Sequence, residues 1–330
     1  MKISVVTPLW QDRPAAENLE VAINADRLGF PELWIGEMAT YDAFAFATMV
    51  GQKTEKITLT TGPLAVSIRT PATMAIGVAS VAELTGRTTN LAVGTSSVVV
   101  VEHWHGQKRT RSARHLAETA QIVRGLLDGE KVRFEGEVAS CKNYRLRLDA
   151  SKSSLTIAAF GPAAVSVAAR HSDRMLLNLV TPQSLAQLRR QMEQAAEKAA
   201  LPPPALAVWL PCAIDPEREA IDQILRTLVG YLAAPGYSEM FSEAGFLELV
   251  EFARTGPHPK ELLAAIPENL SSAIGLVGSE AEVISRLEEY RAAGADEVCL
   301  VPATAGDAGA IRTLKKMSSL LEVSQGFTHS

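Results

Sequence analysis

The chain has 330 residues, of which 47% are hydrophobic, 21% charged and 5% aromatic, with a formal net charge of −5. This suits a large core filled by small aliphatic side chains and speaks against a nucleic-acid partner, which needs concentrated positive surface. No apolar run approaches the ~20 residues of a membrane span, no secretory leader pattern opens the chain, and Cys141, Cys212 and Cys299 lack CxxC spacing, so a cytoplasmic protein is expected.

Taken in order, short apolar runs hand over repeatedly to capped helices. Lys2–Leu9 reads as a strand and Pro14–Leu28 as a helix, with Leu19, Ala22, Ile23 and Leu28 at helical spacing and Gly29 suited to a left-handed end. Glu32–Gly36 is the second strand, followed by a helix from Asp42. Ile57–Gly62 is the third, and Thr70-Pro71 gives the next helix a cap residue and a first-turn proline. Asn90–Thr95 is the fourth. The grammar recurs at Leu155–Gly161 before Pro162, Met175–Val180 before Thr181-Pro182, and Ala205–Ile214 before Asp215-Pro216. Ser279 and Glu282 form a capping box for a helix that carries Val283, Ile284, Leu287 and Tyr290 and ends at Gly294. Glu297–Pro302 is the last strand, and a helix runs from Asp307 to Leu321. About eight strands, each followed by a helix, predict a parallel sheet closed on itself, an α/β fold of the (β/α)8 TIM-barrel class. An open doubly wound sheet would place a GxGxxG turn after the first strand, where Thr7-Pro8-Leu9-Trp10 stands.

Two stretches exceed the minimal unit and read as insertions into a single domain over residues 1–330. Residues 98–154, after the fourth strand, hold a polar loop, a helix near Ala113–Leu127 and a short hairpin around Val132–Leu146. Residues 236–278, after the seventh, contain helical segments broken by Gly256-Pro257 and Pro267. Insertions at this face of a barrel form lids and substrate walls.

Barrel active sites gather at the C-terminal strand ends. Here those ends offer Thr7 and Trp10, Glu37 and Met38, Thr61-Gly62-Pro63, Gly94-Thr95-Ser96-Ser97, Phe160-Gly161-Pro162, Asn178, Cys212 and Pro302. Asp42, His103 and His105 stand in nearby loops. Titratable groups are few, HExxH and GxSxG are absent, and no His/Asp/Glu cluster suggests a metal. A site poor in reactive side chains but rich in glycine and small hydroxyls implies that a bound cofactor does the chemistry while the protein supplies a cradle.

The stretch Leu33-Trp34-Ile35-Gly36-Glu37, then Asp42-Ala43-Phe44, resembles the second strand and following loop of the bacterial luciferase-like superfamily. It is similar in particular to actinobacterial members that use the deazaflavin coenzyme F420. The resemblance continues through Ile57–Gly62, Arg69-Thr70-Pro71-Ala72, Gly86-Arg87 and Leu91–Thr95, then Leu127–Val132, Phe134-Glu135-Gly136, Ile157–Pro162 and Gly294–Val298. It covers nearly the whole chain.

The resemblance implies a cis peptide or bulge at the end of the third strand behind the cofactor ring, at Thr61-Gly62-Pro63. An ordinary trans Gly-Pro strand end is the alternative, although proline makes a cis bond inexpensive. Gly161-Pro162-Ala163, with Phe160, matches the loop that holds the cofactor phosphate, and Gly94-Thr95-Ser96 matches a backbone-rich loop beside the ring. Each of these also reads as a plain turn or helix start. Thr7 and Asn178 complete the implied cofactor set. Sugar-phosphate dehydrogenases of the superfamily carry a histidine where Met38 stands, a glutamate where Ser97 stands and a lysine missing from Leu179–Ser184, so that substrate is excluded. Glu37 is either an acid/base or cofactor-polar group, or a purely structural bonding group. His103-Trp104-His105 is either a closing segment whose His105 relays a proton or a surface loop anchored by Trp104. Lys108, Arg109, Arg111 and Arg114 read as a solvated face, with the anionic cofactor tail as the alternative partner.

The expected function is hydride transfer between coenzyme F420 and a small organic substrate, in a pocket shaped by Trp10, Met38, Tyr41 and Trp104. A flavin mononucleotide (FMN) monooxygenase and a non-catalytic cofactor-binding barrel are the alternatives. The helices from Asp42 and Thr70 are apolar over more than one buried stripe, which fits a homodimer.

Overall fold

The computed structural model describes residues 1–8, 10 and 12–326, the side chains from 320 onward excepted. The strands are β1 (Lys2–Val6), β2 (Glu32–Ile35), β3 (Thr58–Ala65), β4 (Thr89–Gly94), β5 (Val132–Glu135), β6 (Ser140–Tyr144), β7 (Leu155–Ala158), β8 (Arg174–Asn178), β9 (Ala205–Ile214), β10 (Leu276–Gly278) and β11 (Glu297–Pro302). The helices that alternate with them are α1 (Glu17–Arg27), α2 (Ala43–Lys53), α3 (Pro71–Thr85), α4 (Ser112–Leu127), α5 (Pro162–His171), α6 (Pro182–Lys198) and α7 (Arg218–Leu228). The later helices are α8 (Tyr237–Phe241), α9 (Leu247–Arg254), α10 (Pro259–Ala265), α11 (Asn269–Ala273), α12 (Glu280–Ala292) and α13 (Ile311–Gly326).

Among the described residues nine strands pair in the order β10-β9-β11-β1-β2-β3-β4-β7-β8, and a β9–β8 pairing closes eight of them into a (β/α)8 barrel, with β10 a short addition to β9. The strands are buried along nearly their whole length, as parallel strands covered by helices must be. The chain packs as two compact units: Met1–Phe30, Leu177–Leu188 and Val208–Ser330 in one, and Pro31–Leu176 and Arg189–Ala207 in the other.

In the unit that begins at Pro31, the N-terminal strand ends carry a buried polar network. Arg174 pairs with Glu32 at 2.8 Å, donates to Thr156 Oγ1 at 3.1 Å and lies 4.3 Å over the Trp34 ring. Thr60 also donates to Glu32, and Asn90 donates to Thr60 at 3.2 Å. Each charge has an opposite partner, which buried charges require. The insertion after β4 holds α4 and the antiparallel β5–β6 hairpin. Glu118 of α4 is buried and accepts the amides of Glu137, Val138 and Ala139 at 2.9, 2.9 and 2.8 Å, tying the hairpin turn to the helix. A side chain at Gly136 would run into that carboxylate.

In the other unit β1 pairs with β11, and Ser4 donates to Glu297 at 2.5 Å. Trp10 is buried among Ala213, Ala220, Ile224, Val277 and Ala303, and its indole N–H donates to Pro302 O at 2.8 Å. The second insertion is helical: α9 stops at Arg254 before Gly256-Pro257, and α11 begins just past Pro267.

The local signals of helix ends agree with the structure. Asp42 caps α2 through Phe44 N and Ala45 N, Thr70 caps α3, the Ser279/Glu282 box caps α12, and Gly29, Gly86 and Gly294 have φ of +78°, +69° and +99°. Three expectations shift. The first strand ends at Val6, and Leu9 lies outside the described residues. The helix placed after Pro216 starts at Arg218, behind Glu217 in extended conformation. The polar loop expected after β4 is a π-helical turn, Val99–Trp104, that leaves Val98, Val99 and Trp104 exposed.

Candidate active site

The end of β3 departs from regular strand geometry. The Gly62-Pro63 bond is cis, Gly62 has φ +111°, and the register with β4 slips between Thr61 and Leu64. A side chain at 62 would run into the Ala92 carbonyl oxygen and lie 2.6 Å from Leu64 N, so the bulge needs glycine. Beyond it β3 continues to Ala65, three residues further than its apolar pattern predicts. Thr61 is buried and donates to Asn90 O at 3.2 Å. At the end of β4, a Cβ on Gly94 would lie 3.3 Å from Ala158 Cβ and 3.6 Å from Pro63 Cβ. The ends of β3, β4 and β7 therefore converge on one surface built of main chain and small side chains.

That surface is edged by a loop with one dominant organiser. Ser96 has φ +54°, an uncommon conformation for a residue with a side chain. Arg109 Nε donates to Ser96 O at 2.9 Å and Nη2 to Thr95 Oγ1 at 3.2 Å, while its main-chain N–H donates to Glu102 Oε1 at 3.1 Å. The π-helical turn between them starts from Ser97, whose hydroxyl accepts Val100 N at 3.2 Å, and is anchored by the fully buried Val101. His105 follows the turn and is exposed, as is Trp104. Past β7, half-buried Phe160 leads into α5. Gly161 is its N-cap with no side-chain cap, Pro162 opens the first turn, and Gly161, Pro162 and Ala163 are exposed with open space beside Gly161. The positive end of a ten-residue helix thus faces outward.

Past β2, Glu37 is gripped. Arg69 Nε donates to it at 3.0 Å, Arg69 Nη2 donates to both Glu37 and Asp42, and Ala43 N donates to Glu37 at 3.2 Å. The guanidinium also lies 5.2 Å from the Phe44 ring centroid. Glu37 foremost, then Asp42, hold the Arg69 pKa above its ordinary value against the effect of burial. Burial works against the Asp42 charge, but the Ala45 amide, Arg69 and the Phe44 amide outweigh it and lower its pKa. Met38 is half-buried, and Tyr41 is exposed and stacked on Phe46 at 4.9 Å. In the other unit, Thr7 is buried at the end of β1, and Asn178 at the end of β8 donates to Tyr237 OH at 3.3 Å. Burial raises the pKa of Tyr237 and of Tyr231, which meets it edge-on at 4.9 Å. Among the described residues no group of His, Cys, Asp and Glu is arranged to hold a metal ion.

A family model described as luciferase-like monooxygenase matches residues 1–297. The chain belongs to the luciferase-like monooxygenase family. It is therefore an oxidoreductase built on a luciferase-like barrel. A curated relative, the 5,10-methylenetetrahydromethanopterin reductase of Archaeoglobus fulgidus, is 22% identical over 83% of this chain and 86% of its own. Among solved structures the chain is similar to an F420-dependent secondary alcohol dehydrogenase in complex with an F420–acetone adduct, with TM-score 0.78 and 19% identity over 96% of this chain and 97% of that one. It is also similar to the coenzyme F420-dependent tetrahydromethanopterin reductase of Methanopyrus kandleri, with TM-score 0.81 and 18% identity over 96% and 98%. At such identities the structural likeness establishes the fold.

Two arginines at these strand ends escape sequence reasoning. Arg69 stands just before a helix cap and Arg109 within a basic run, and nothing local separates them from solvated neighbours. Their partners lie 32 and 13 residues away in the chain.

Proposed function

We propose that the chain is a coenzyme F420-dependent oxidoreductase acting on a small organic substrate. The observation that carries this reading is the surface at the ends of β3, β4 and β7. Gly62 holds main chain where a side chain would strike the Ala92 carbonyl, a Cβ at Gly94 would press Ala158 Cβ at 3.3 Å, and Glu37, a carboxylate just past β2, is engaged by Arg69. Such a surface fits a flat ring better than it fits acid–base chemistry by protein groups. Gly62-Pro63 would back the ring, Gly94-Thr95-Ser96 would edge it, and the α5 start at Phe160–Ala163 would take the cofactor phosphate on its positive end. When bound, the deazaflavin supplies a two-electron hydride carrier that reacts poorly with oxygen. Thr61 belongs to the wall behind it by this reading. Met38, Tyr41 and Trp104 bound the substrate side, and the histidine, glutamate and lysine of the sugar-phosphate dehydrogenases are missing at 38, 97 and 179–184, which leaves that substrate out. Exposed His105 is the group assigned to proton exchange with the substrate, and Glu37 to holding the loop after β2.

The family's description as monooxygenases favours FMN as the second reading. Spectroscopic titration of the purified chain with each cofactor separates them. The proposal expects saturable binding of F420, and FMN binding without F420 binding refutes it. Bound reduced F420 that no compound in a broad acceptor screen oxidises points instead to a non-catalytic barrel.

Two further elements are proposed. Met49 of α2 and Ile76 and Leu84 of α3 are exposed, and we read this face as covered by a second copy of the chain. Among the described residues no disulfide joins the buried Cys141, Cys212 and Cys299, which fits a reducing, cytoplasmic compartment, and no helix is long and apolar enough to cross a membrane.

A further inference from the structure

We propose that Arg109 is the positioning residue of the cofactor edge, shaping the loop after β4 without touching the cofactor. The inference rests on the F420 reading above for its effect on binding, and on geometry for its effect on the loop. Three bonds converge on this residue from segments that have no common secondary structure. The guanidinium takes the Ser96 carbonyl and the Thr95 hydroxyl, and the main-chain N–H takes the Glu102 carboxylate. The guanidinium thus fixes the Thr95-Ser96 end of the loop and the main-chain N–H its Glu102 end, while the preceding strand is fixed by its own ladder.

Each bond has a defined consequence. A peptide group is planar, and in a trans peptide the carbonyl and the following N–H point in opposite directions. Pinning Ser96 O on Arg109 therefore fixes the Ser97 N–H direction and removes that carbonyl from contact with a ligand. It also supports Ser96 at φ +54°, a conformation that a residue with a side chain holds only when its surroundings determine it. The Thr95 hydroxyl, donated to by Nη2, is turned so that its own proton points elsewhere. Through Glu102 the same residue holds the π-helical turn that carries Trp104 and leads to His105. Lysine has one ammonium on a flexible stem and cannot reproduce the two-point grip of a planar fork. Neighbouring Arg111 and Arg114 are different: both pair with exposed Glu137 on the hairpin turn.

The test compares wild type with Arg109→Ala, Arg109→Lys and, as a charge control nearby, Arg114→Ala. Binding of oxidised F420 is followed by its absorbance and fluorescence, and backbone amide exchange is followed over residues 95–106. Arg109→Ala is expected to weaken F420 binding about 10- to 100-fold, the loss of one or two charge-assisted bonds. It should also change the spectrum of the bound cofactor and speed exchange over 95–106, with the β5–β6 hairpin unchanged. Added guanidinium ion should restore part of the affinity, Arg109→Lys should fall between, and Arg114→Ala should match wild type. If Arg109→Ala folds poorly, Arg109→Lys with the same readouts decides. Unchanged F420 affinity and unchanged exchange in the variants would overturn the proposal. If wild type binds no F420, the functional reading falls, and exchange over 95–106 alone decides whether Arg109 shapes the loop.

Discussion

Replacing Glu118 by alanine isolates one device that holds the insertion after β4. The buried carboxylate accepts three consecutive amides at 2.8 to 2.9 Å. Hydrogen bonds to a charged acceptor contribute roughly 1.5–3 kcal/mol each when fully buried. Only the Ala139 amide is in that position; those of Glu137 and Val138 are reached by water once the carboxylate is gone. Counting the first in full and the others at about 0.5 kcal/mol gives a loss of about 3 kcal/mol, or roughly a hundredfold faster exchange through local opening. The assay is hydrogen–deuterium exchange resolved over residues 132–144, with the strands of the barrel as internal reference. Burial favours the neutral acid, but the Val138, Glu137 and Ala139 amides and the Arg114 charge prevail and lower the Glu118 pKa below its ordinary 4.5. A lowered folded-state pKa stabilises above the ordinary value and loses that stabilisation as pH falls through the folded one. The difference between wild type and Glu118→Ala should thus be full near neutrality and shrink on acidification below about 4.5. Hairpin exchange within threefold of wild type at neutral pH would refute the argument.

Other outcomes follow from the same structure. Gly62→Ala should lower stability by roughly 2–4 kcal/mol and abolish cofactor binding, because the new Cβ meets Ala92 O at a φ of +111°; calorimetry and titration together check it. Arg174→Met leaves Glu32 buried without its guanidinium and should cost roughly 3–5 kcal/mol in denaturant unfolding, whereas an exposed ion-pair variant such as Arg218→Ala should cost at most about 1 kcal/mol. Light scattering of wild type should give twice the 35.3 kDa chain mass, and Leu84→Glu, at the most exposed apolar position of α3, should return the monomer.

What the sequence reveals here is what it encodes locally. Asp42, Thr70 and Ser279 announce helix starts because a cap acts within three residues, and buried parallel strands are continuous apolar runs. The barrel follows from their alternation. Gly62-Pro63 was open between two conformations because the decisive neighbour, Ala92 O, sits on the next strand. Val99–Trp104 carries no turn-forming residue, so a π-helical turn held from Ser97 and Glu102 has no local signature. Glu37 admits two readings in sequence because its partner, Arg69, is on another strand's loop. Arg109 and Arg111 are chemically alike and two residues apart, and only the folded chain sends one to Ser96 and the other to Glu137.

The convergence of β3, β4 and β7 at Gly62 and Gly94 has an evolutionary corollary. A surface made of peptide groups makes no demand on side chains at Met38, Tyr41 or Trp104, so under the proposed function mutation there can alter the reactant while the coenzyme seat keeps its shape. Libraries confined to those three positions, with both glycines held constant, would change selectivity without loss of cofactor binding if the proposed function holds.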